Sequence, residues 1–317
     1  MRDIVLVSFG QCKPTCMADR ASLVSKPFPH GVVNDAASVT EVVHRAMSRT
    51  ADPRLREIMA SLVNHLHAFV REVRPTPEEF ERGLDFLLRV GQASGPEKNE
   101  MVLLSDLLGV STLVVMLEKE RSGGIGTDPA LLGPFWRDRS PVCAHGDDIA
   151  RDGGGGEPLA VAGRVVDPLG KPIAGATVDV WQASPVGLYE NQDPEQPDHN
   201  LRGRFETDAD GRFHLRTVRP KGYPVPTDGP CGELLRAQDR YPYRPAHLHF
   251  MLSREGYQTL VTQVFDNTDA AIESDVVFGV TPPLSGEYRR GTDGTLRLDY
   301  EFVMQPGTRR IPRAPIP

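Results

Sequence analysis

The 317-residue sequence lacks long hydrophobic runs and runs of basic residues. A membrane-spanning helix needs roughly 18 or more consecutive apolar residues, and no segment offers them. The opening stretch MRDIVLVSFG has one short apolar run beside Asp3, which is too short and badly flanked for a signal peptide. The formal net charge is -7, with the two signs interspersed, which disfavours a nucleic-acid partner. We therefore expect a cytoplasmic protein that has neither a membrane nor a nucleic acid among its partners.

Cysteine is also scarce, with four in the chain. Cys12 and Cys16 are the only two that lie close in sequence, and their CxxxC spacing is a weak hint of zinc or redox chemistry. Without a secretion signal, we expect the thiols to be reduced. Apolar residues make up 39% of the chain and charged residues 25%, the balance of a globular protein that is long enough to bury a sizeable core.

Residues 1–35 are an N-terminal extension in which apolar residues follow no clear period. Sequence signals for helices begin after it. Ser38–Glu41 and Thr76–Glu79 both fit a capping box, and Asp52 followed by proline offers a third helix start. From that third start, apolar residues recur at steps of three and four and form one stripe of an amphipathic helix: Leu55, Met59, Leu62, Leu66, Phe69 and Val73. Further helices are predicted over residues 77–91 and 96–119. A helical domain is therefore expected over residues 36–123.

Glycine and proline become frequent after residue 123, and residues 124–157 are predicted to be a linker. Its glycine clusters match no phosphate loop, because no GK[ST] follows them. Residues 158–317 show short β segments separated by turn sequences such as DPLGKP and DADG. The predicted strands are LAVAGRVVD, ATVDVWQ, GRFET, GRFHLRTV, HLHFML, LVTQVF, DVVFGV and LRLDYEFVM. The expected fold class is α+β, with an N-terminal helical domain followed by a mainly antiparallel β-sandwich.

The tripeptide His-Leu-His occurs twice, and the backbone period separates the two copies. His65 and His67 fall on a predicted helix, where positions i and i+2 point in nearly opposite directions, so their rings diverge. His247 and His249 fall on a predicted strand, where the same spacing puts both imidazoles on one face. The second pair is therefore a candidate metal site, with two ordinary, partly buried histidines as the alternative.

The residues around the second pair leave the identity of the metal open. A structural zinc site would want nearby cysteines, and beyond Cys143 the β region holds only Cys231. A 2-His-1-carboxylate iron site would usually show HxD or HxE. The remaining donors are His199, His214 and the seven tyrosines. A phenolate suits a hard trivalent ion, and a nearby cation favours its deprotonated form, but spacing does not choose among the tyrosines.

Four ordered motifs, WQASPVGLYENQD, GRFETDADGRFHLRTVRP, YPVPTDGP and RPAHLHF, carry a resemblance to a known family. They resemble the intradiol ring-cleaving dioxygenases, which are non-haem iron(III) enzymes acting on catechols, and most of all the hydroxyquinol 1,2-dioxygenases. The likeness runs from the helical stretch LLSDLLGVSTLV through most of the β region. It implies cleavage of hydroxyquinol by O2 to hydroxymuconate, the tautomer of maleylacetate. Cleavage of catechol or a chlorocatechol is the alternative within the same family.

The resemblance also implies roles for individual residues. The implied iron ligands are Tyr189, Tyr223, His247 and His249. Tyr223 would also serve as a base, while Arg244 and Gln263 would border the substrate ring and Arg244 would stabilise negative charge on it. The other implied pocket residues are Leu103, Asp106, Leu107, Gly133 and Pro134. We expect Asp106 to accept a hydrogen bond from a third substrate hydroxyl, with a helix-surface or capping carboxylate as the alternative.

The implied partners are the aromatic substrate, O2 and a second copy of the chain, bound through the N-terminal helices with a phospholipid at the interface. Two rival classes fit parts of the sequence. The stretch GRVVDPLGKPIAGATVDVW also resembles non-enzymatic transthyretin-like and carbohydrate-binding sandwich modules, which lack the tyrosine and histidine set. A zinc hydrolase or lyase would use His247, His249 and a third histidine such as His214.

Overall fold

The computed structural model describes residues 28–95, 98–151 and 155–315. Cys12 and Cys16, together with most of the N-terminal extension, lie outside these ranges. The chain divides into two compact units, Met1–Arg82 and Gly83–Pro317. The boundary between the units lies within the helix Pro77–Gln92, so the helices after it belong to the same unit as the strands.

The helices of the first unit are α1 (Val39–Met47), α2 (Pro53–Val73) and the first turns of α3 (Pro77–Gln92). The capping box predicted at α3 is confirmed, because Thr76 and Glu79 each accept a hydrogen bond from the other's backbone N–H. The capping box predicted at α1 is wrong. The Ser38 hydroxyl makes no bond to that helix, because it donates to the Asp35 carbonyl and accepts from backbone amides of the preceding turn.

The apolar stripe predicted on α2 is present and exposed. The Asp52 carboxylate caps the helix by accepting hydrogen bonds from the backbone amides of Arg54 and Leu55. Leu62, Leu66 and Phe69 are 46%, 52% and 57% exposed, and no residue of α2 is buried. An exposed apolar stripe of this kind is typical of a surface on which another apolar surface packs.

The helix predicted over residues 96–119 is broken in the structure. It forms α4 (Glu100–Leu107) and α5 (Val110–Arg121), bent by 71°. The break lies at Gly109, whose φ of 70° is a left-handed conformation that glycine adopts without strain. In the described ranges, no single helix is long and apolar enough to cross a membrane, although this bent pair passes by length and composition alone.

The strands are β1 (Pro158–Val166), β2 (Thr177–Gln182), β3 (Arg202–Glu206), β4 (Arg212–Val218), β5 (Tyr223–Pro224), β6 (Tyr243–Arg244), β7 (His247–Ser253), β8 (Leu260–Asp266), β9 (Ser285–Gly286), β10 (Tyr288–Arg290) and β11 (Leu296–Val303). One sheet has the order β10-β11-β1-β4 and the other β3-β2-β7-β8-β9, while β5 and β6 form a ribbon. A short helix, α6 (Pro230–Ala237), separates the ribbon strands in sequence. Only β1–β11 and β8–β9 pair in parallel among the described strands, so the mainly antiparallel prediction is confirmed.

The main core lies between the two large sheets. Val161 and Leu298 come from one sheet, Val180 and Phe250 from the other, and all belong to one buried cluster. Alternation along each strand sends every second side chain into this core. The α+β class with a β-sandwich is therefore confirmed.

Residues 124–157 were predicted to be a linker, but their described part packs on the sheets. Trp136 and Ile149 are 1% and 0% exposed, and Val142 and Asp148 form β-bridges to strand residues. Trp136 and Ile149 therefore belong to the core of the second unit.

The segment DVVFGV was predicted to be a strand, and this is wrong. It forms a turn in which the Asp275 carboxylate accepts hydrogen bonds from the backbone amides of Val277 at 3.3 Å and Gly279 at 2.9 Å. Those amides are no longer available to a strand ladder. Phe278 between them takes a left-handed φ of 60°, which a strand does not contain.

Candidate metal centre

The second His-Leu-His tripeptide is placed by the hydrophobic core. Leu248 and Phe250 on β7 point into the core between the sheets and are fully buried. Because strand side chains alternate, His247 and His249 must point to the opposite face of the same sheet. Both rings are buried there, with 1% exposure each. The prediction that this pair shares one face is confirmed.

Two tyrosines meet this pair of histidines. The Tyr189 hydroxyl lies 3.0 Å from Nε2 of His249 and 3.2 Å from the Tyr223 hydroxyl. Nε2 of His247 lies 3.1 Å from Nε2 of His249. Donor atoms that share one ion at about 2.0–2.1 Å would lie about 2.9–3.4 Å apart, so four donors with this spacing fit a single metal ion.

Burial favours the neutral form of both imidazoles, which is the charge state that binds metal. Burial lowers the pKa of His247 to about 3, and the Arg244 charge acts in the same direction. Burial also lowers the pKa of His249 well below its ordinary value, with His247 as the next cause. The Nδ1 atom of His247 lies 2.7 Å from the Pro245 carbonyl, which can only accept, so Nδ1 carries the proton and the Nε2 lone pair faces the cluster.

The phenol of Tyr189 sits in a buried setting that suits a bound cation. Burial raises the pKa of Tyr189 well above its ordinary value, and the neighbouring Tyr223 adds to this effect. A cation between the four donors would favour the deprotonated phenolate and would therefore lower the pKa of Tyr189. The Phe135 ring stacks on Tyr189 with centroids 4.4 Å apart and holds the phenol in place.

Arg244 and Gln263 lie beside the four donors. Arg244 is on β6, directly opposite Tyr223 in the ribbon, and its Nη1 lies 3.3 Å from Nε2 of His247. Gln263 on β8 pairs with His249 on β7, and its carbonyl oxygen accepts a 2.7 Å hydrogen bond from Nη2 of Arg244. Burial opposes the charged form of Arg244, but Asp275 and the two tyrosines more than offset it and raise the arginine pKa. The structure therefore places one permanent positive charge at the edge of the donor cluster.

The other residues that the resemblance assigns to the pocket lie in different surroundings. Gly133 is close, because a Cβ added there would lie 3.2 Å from Cε1 of His249. Burial raises the pKa of Asp106, while the Ser111 hydroxyl and then the charge of Arg244 oppose that shift. Leu103 and Leu107 pack in an apolar cluster with the Asp275–Gly279 turn, whereas Pro134 is exposed.

Two other donors considered from the sequence are not part of this cluster. His214 is exposed on β4, in the other sheet, and its ring meets His145 edge-on with centroids 5.1 Å apart, so the zinc-site alternative that used it is wrong. His199 groups with Glu190 and Asp198, with ligand atoms within 4.8 Å of one another. Arginine side chains already pair with both carboxylates of that group, which makes it a poor site for a cation.

Sequence reasoning missed two residues that contact members of this site. Trp181 is buried, and its indole stacks on the His249 ring at 4.7 Å with an interplanar angle of 11°. Asp275 pairs with Arg244 and was assigned to a strand. An aspartate followed four residues later by glycine was a possible turn signal in this segment.

Comparison with known proteins agrees with the geometry. Residues 132–306 match the family model described as "Dioxygenase", and residues 52–126 match "Catechol dioxygenase N terminus". A 6-chlorohydroxyquinol 1,2-dioxygenase of Cupriavidus pinatubonensis is 47% identical over 272 residues, covering 86% of this chain and 98% of the relative. A hydroxyquinol 1,2-dioxygenase of Rhizobium sp. is 46% identical over 264 residues, covering 83% of this chain and 89% of the relative.

The fold is also similar to a solved structure. The crystal structure of a hydroxyquinol 1,2-dioxygenase from Pseudomonas putida superposes with a TM-score of 0.81 and 40% sequence identity. It covers 86% of this chain and 99% of that one. The likeness therefore includes both the helices and the sheets.

Proposed function

Because the chain belongs to the intradiol dioxygenase family, we propose that it opens the ring of hydroxyquinol between the two carbons that bear adjacent hydroxyl groups. O2 is the oxidant, and both of its atoms enter the product, a hydroxymuconate that tautomerises to maleylacetate. The observation that best supports this is the cluster of two phenol oxygens and two imidazole nitrogens beside Arg244. The non-enzymatic sandwich alternative is not favoured, because such modules lack this cluster.

The cofactor that we propose is one non-haem Fe(III). Its ligands would be Tyr189, Tyr223, His247 and His249. Two anionic phenolates and two neutral imidazoles make a hard donor set that favours a trivalent ion. The bound iron would supply a Lewis acid that makes a coordinated diol reactive towards O2.

The protein's own residues then handle protons and charge. Tyr223 is 9% exposed and Tyr189 1%, so Tyr223 is the tyrosine better placed to accept a substrate proton. The Arg244 guanidinium faces the same space and stabilises negative charge that develops on the ring. Gln263 holds Arg244 through its carbonyl oxygen, and its amide donates to the Leu131 carbonyl at 2.7 Å.

Oxygen uptake by the iron-loaded protein tests this proposal, with hydroxyquinol, catechol and chlorocatechols as substrates. We expect one O2 consumed for each ring cleaved and the highest kcat/KM for hydroxyquinol. Preference for catechol or a chlorocatechol would move the substrate assignment within the family. No uptake with any of them would contradict the reaction itself.

Asp106 should set the preference for a third hydroxyl. It lies in the last turn of α4, where the helix dipole disfavours a carboxylate. Helix stability therefore does not explain why an aspartate stands at this position. In Asp106→Asn, we expect the ratio of kcat/KM for hydroxyquinol to that for catechol to fall about 10- to 100-fold, the size of a hydrogen bond to a charged group. The exposed Glu118→Gln is the matched control, and an unchanged ratio in Asp106→Asn would exclude this role.

The exposed face of α2 supports a homodimer. We propose that Leu62, Leu66 and Phe69 pack against a second copy of the chain, with phospholipid acyl chains filling the same apolar interface. Light scattering at micromolar concentration should give twice the chain mass, and mass spectrometry of an organic extract should detect the lipid. Leu66→Asp should give a monomer, because it places a charge on the apolar face. A monomeric wild-type protein would contradict this proposal.

A further inference from the structure

We propose that Asp275 is a positioning residue that fixes the plane of the Arg244 guanidinium, so that one of its nitrogens faces the metal donors. The inference rests on the proposed ring cleavage, because it concerns the residue that would stabilise charge in that reaction. It assigns a catalytic task to a turn that lies outside the donor cluster.

The contact between the two side chains is side-on and uses both carboxylate oxygens. Nε of Arg244 donates to Oδ1 of Asp275 at 3.1 Å, and Nη2 donates to Oδ2 at 3.2 Å. Two parallel bonds to a planar guanidinium fix its orientation as well as its position. Nη1 takes no part in this pair and lies 3.3 Å from Nε2 of His247. The pairing therefore selects which nitrogen is presented to the site.

The carboxylate is itself held in place. Both of its oxygens also accept backbone hydrogen bonds from the turn that it begins, one from Val277 and one from Gly279. A Cβ at Gly279 would lie 3.0 Å from both Nη2 of Arg244 and Oδ2 of Asp275, so a larger residue there would press on the pair. The turn is tied to α5 by Thr112, whose hydroxyl donates to the Val277 carbonyl at 2.9 Å. Asp275 is thus a fixed point for Arg244 rather than a mobile counter-ion.

Stability alone is a weak reason for this pair. Arg244 and Asp275 are 5% and 7% exposed, and burying two charges offsets most of the attraction between them. The side-on geometry, by contrast, matches what a directed donor requires, because a guanidinium held by a single bond could rotate. The orientation of Nη1 is therefore the property that Asp275 supplies.

A double-mutant cycle separates positioning from simple support of the fold. Asp275→Asn keeps the shape of the side chain but loses the two charge-assisted bonds. We expect kcat/KM to fall about 10- to 100-fold, the usual effect of removing a partner that orients an active-site group. In the Arg244→Gln background, the same change should lower kcat/KM by no more than about threefold, because residues that act as a unit are not additive.

A control variant and two structural measurements show whether the loss of activity comes from the orientation of Arg244. Asp179→Asn removes another buried carboxylate with an arginine partner, Arg204 at 2.9 Å, and should leave kcat/KM and the iron content unchanged. Asp275→Asn should also keep the iron and its visible spectrum, while a crystal structure should show the Arg244 side chain rotated. Equal losses in both arginine backgrounds, an unrotated Arg244, or full activity of Asp275→Asn would each overturn the inference. An inactive wild-type protein would instead refute the proposed function, and the crystal structure would still report on Arg244.

Discussion

Replacing His249 by alanine should remove the iron and reduce turnover to less than about one thousandth of wild type, which corresponds to about 4 kcal/mol of lost transition-state stabilisation. Its Nε2 lies within 3.1 Å of both the His247 nitrogen and the Tyr189 hydroxyl, so His249, like Tyr189, has two neighbours among the four donors. Its loss leaves three donors and a void beside Trp181, whose indole stacks on the missing ring. Metal analysis and the visible spectrum measure the result. Wild type should be red to burgundy, and the variant colourless.

The chain provides a matched control in its other His-Leu-His tripeptide. His65 and His67 lie on α2, where the helical period turns their rings apart, and Nδ1 of His67 is already in contact with the Thr40 hydroxyl at 2.9 Å. The double variant His65→Ala/His67→Ala should keep iron, colour and turnover. Denaturant midpoints of the metal-free proteins will show whether His249→Ala still folds. Iron retention by a folded His249→Ala protein would contradict the ligand assignment.

The sequence could predict those parts of the site that depend on backbone period. The alternation along β7 puts His247 and His249 on one face because Leu248 and Phe250 must be buried, and this follows from two-residue periodicity alone. Period also predicted α2, whose start is marked by Asp52. For β7 and α2 alike, the structure is determined by local interactions or by which face of the element is apolar.

Other features depend on contacts between distant segments. The spacing in the sequence did not choose among the tyrosines, because the contact between Tyr189 and Tyr223 depends on the tertiary fold. Tyr189 lies in the loop after β2 and Tyr223 in the β5–β6 ribbon, and only the fold brings these segments together. The apolar run after Asp275 has the composition of a strand, but its amides bond to the aspartate that precedes them. The break at Gly109 was missed because glycine is tolerated within helices at a modest cost. Each of these outcomes was decided by a particular hydrogen bond or φ angle rather than by composition.

The second large effect is expected for Tyr223→Phe, which should keep the iron and lose most of the turnover. Three of the four donors remain, and Phe has the same ring, so the metal has no steric reason to leave. The lost hydroxyl is the one proposed to accept a substrate proton, and removing a positioned base lowers kcat by about 10²- to 10⁴-fold. Stopped-flow assays, metal analysis and the visible spectrum measure the three quantities. The charge-transfer band should weaken and shift, because one of two phenolates is gone.

Tyr189→Phe separates a base from a purely structural ligand. Tyr189 is nearly inaccessible, stacks on Phe135 and touches both Tyr223 and His249, so we expect it to act as a ligand alone and not as a base. Its removal should therefore lower iron content as well as turnover, whereas Tyr223→Phe should lower turnover alone. The two-residue strand that carries Tyr223 pairs with Arg244, so the Tyr223 phenolate would lie near a guanidinium that can stabilise its charge. Full turnover and an unchanged spectrum in Tyr223→Phe would exclude both the base role and the ligand role of this tyrosine.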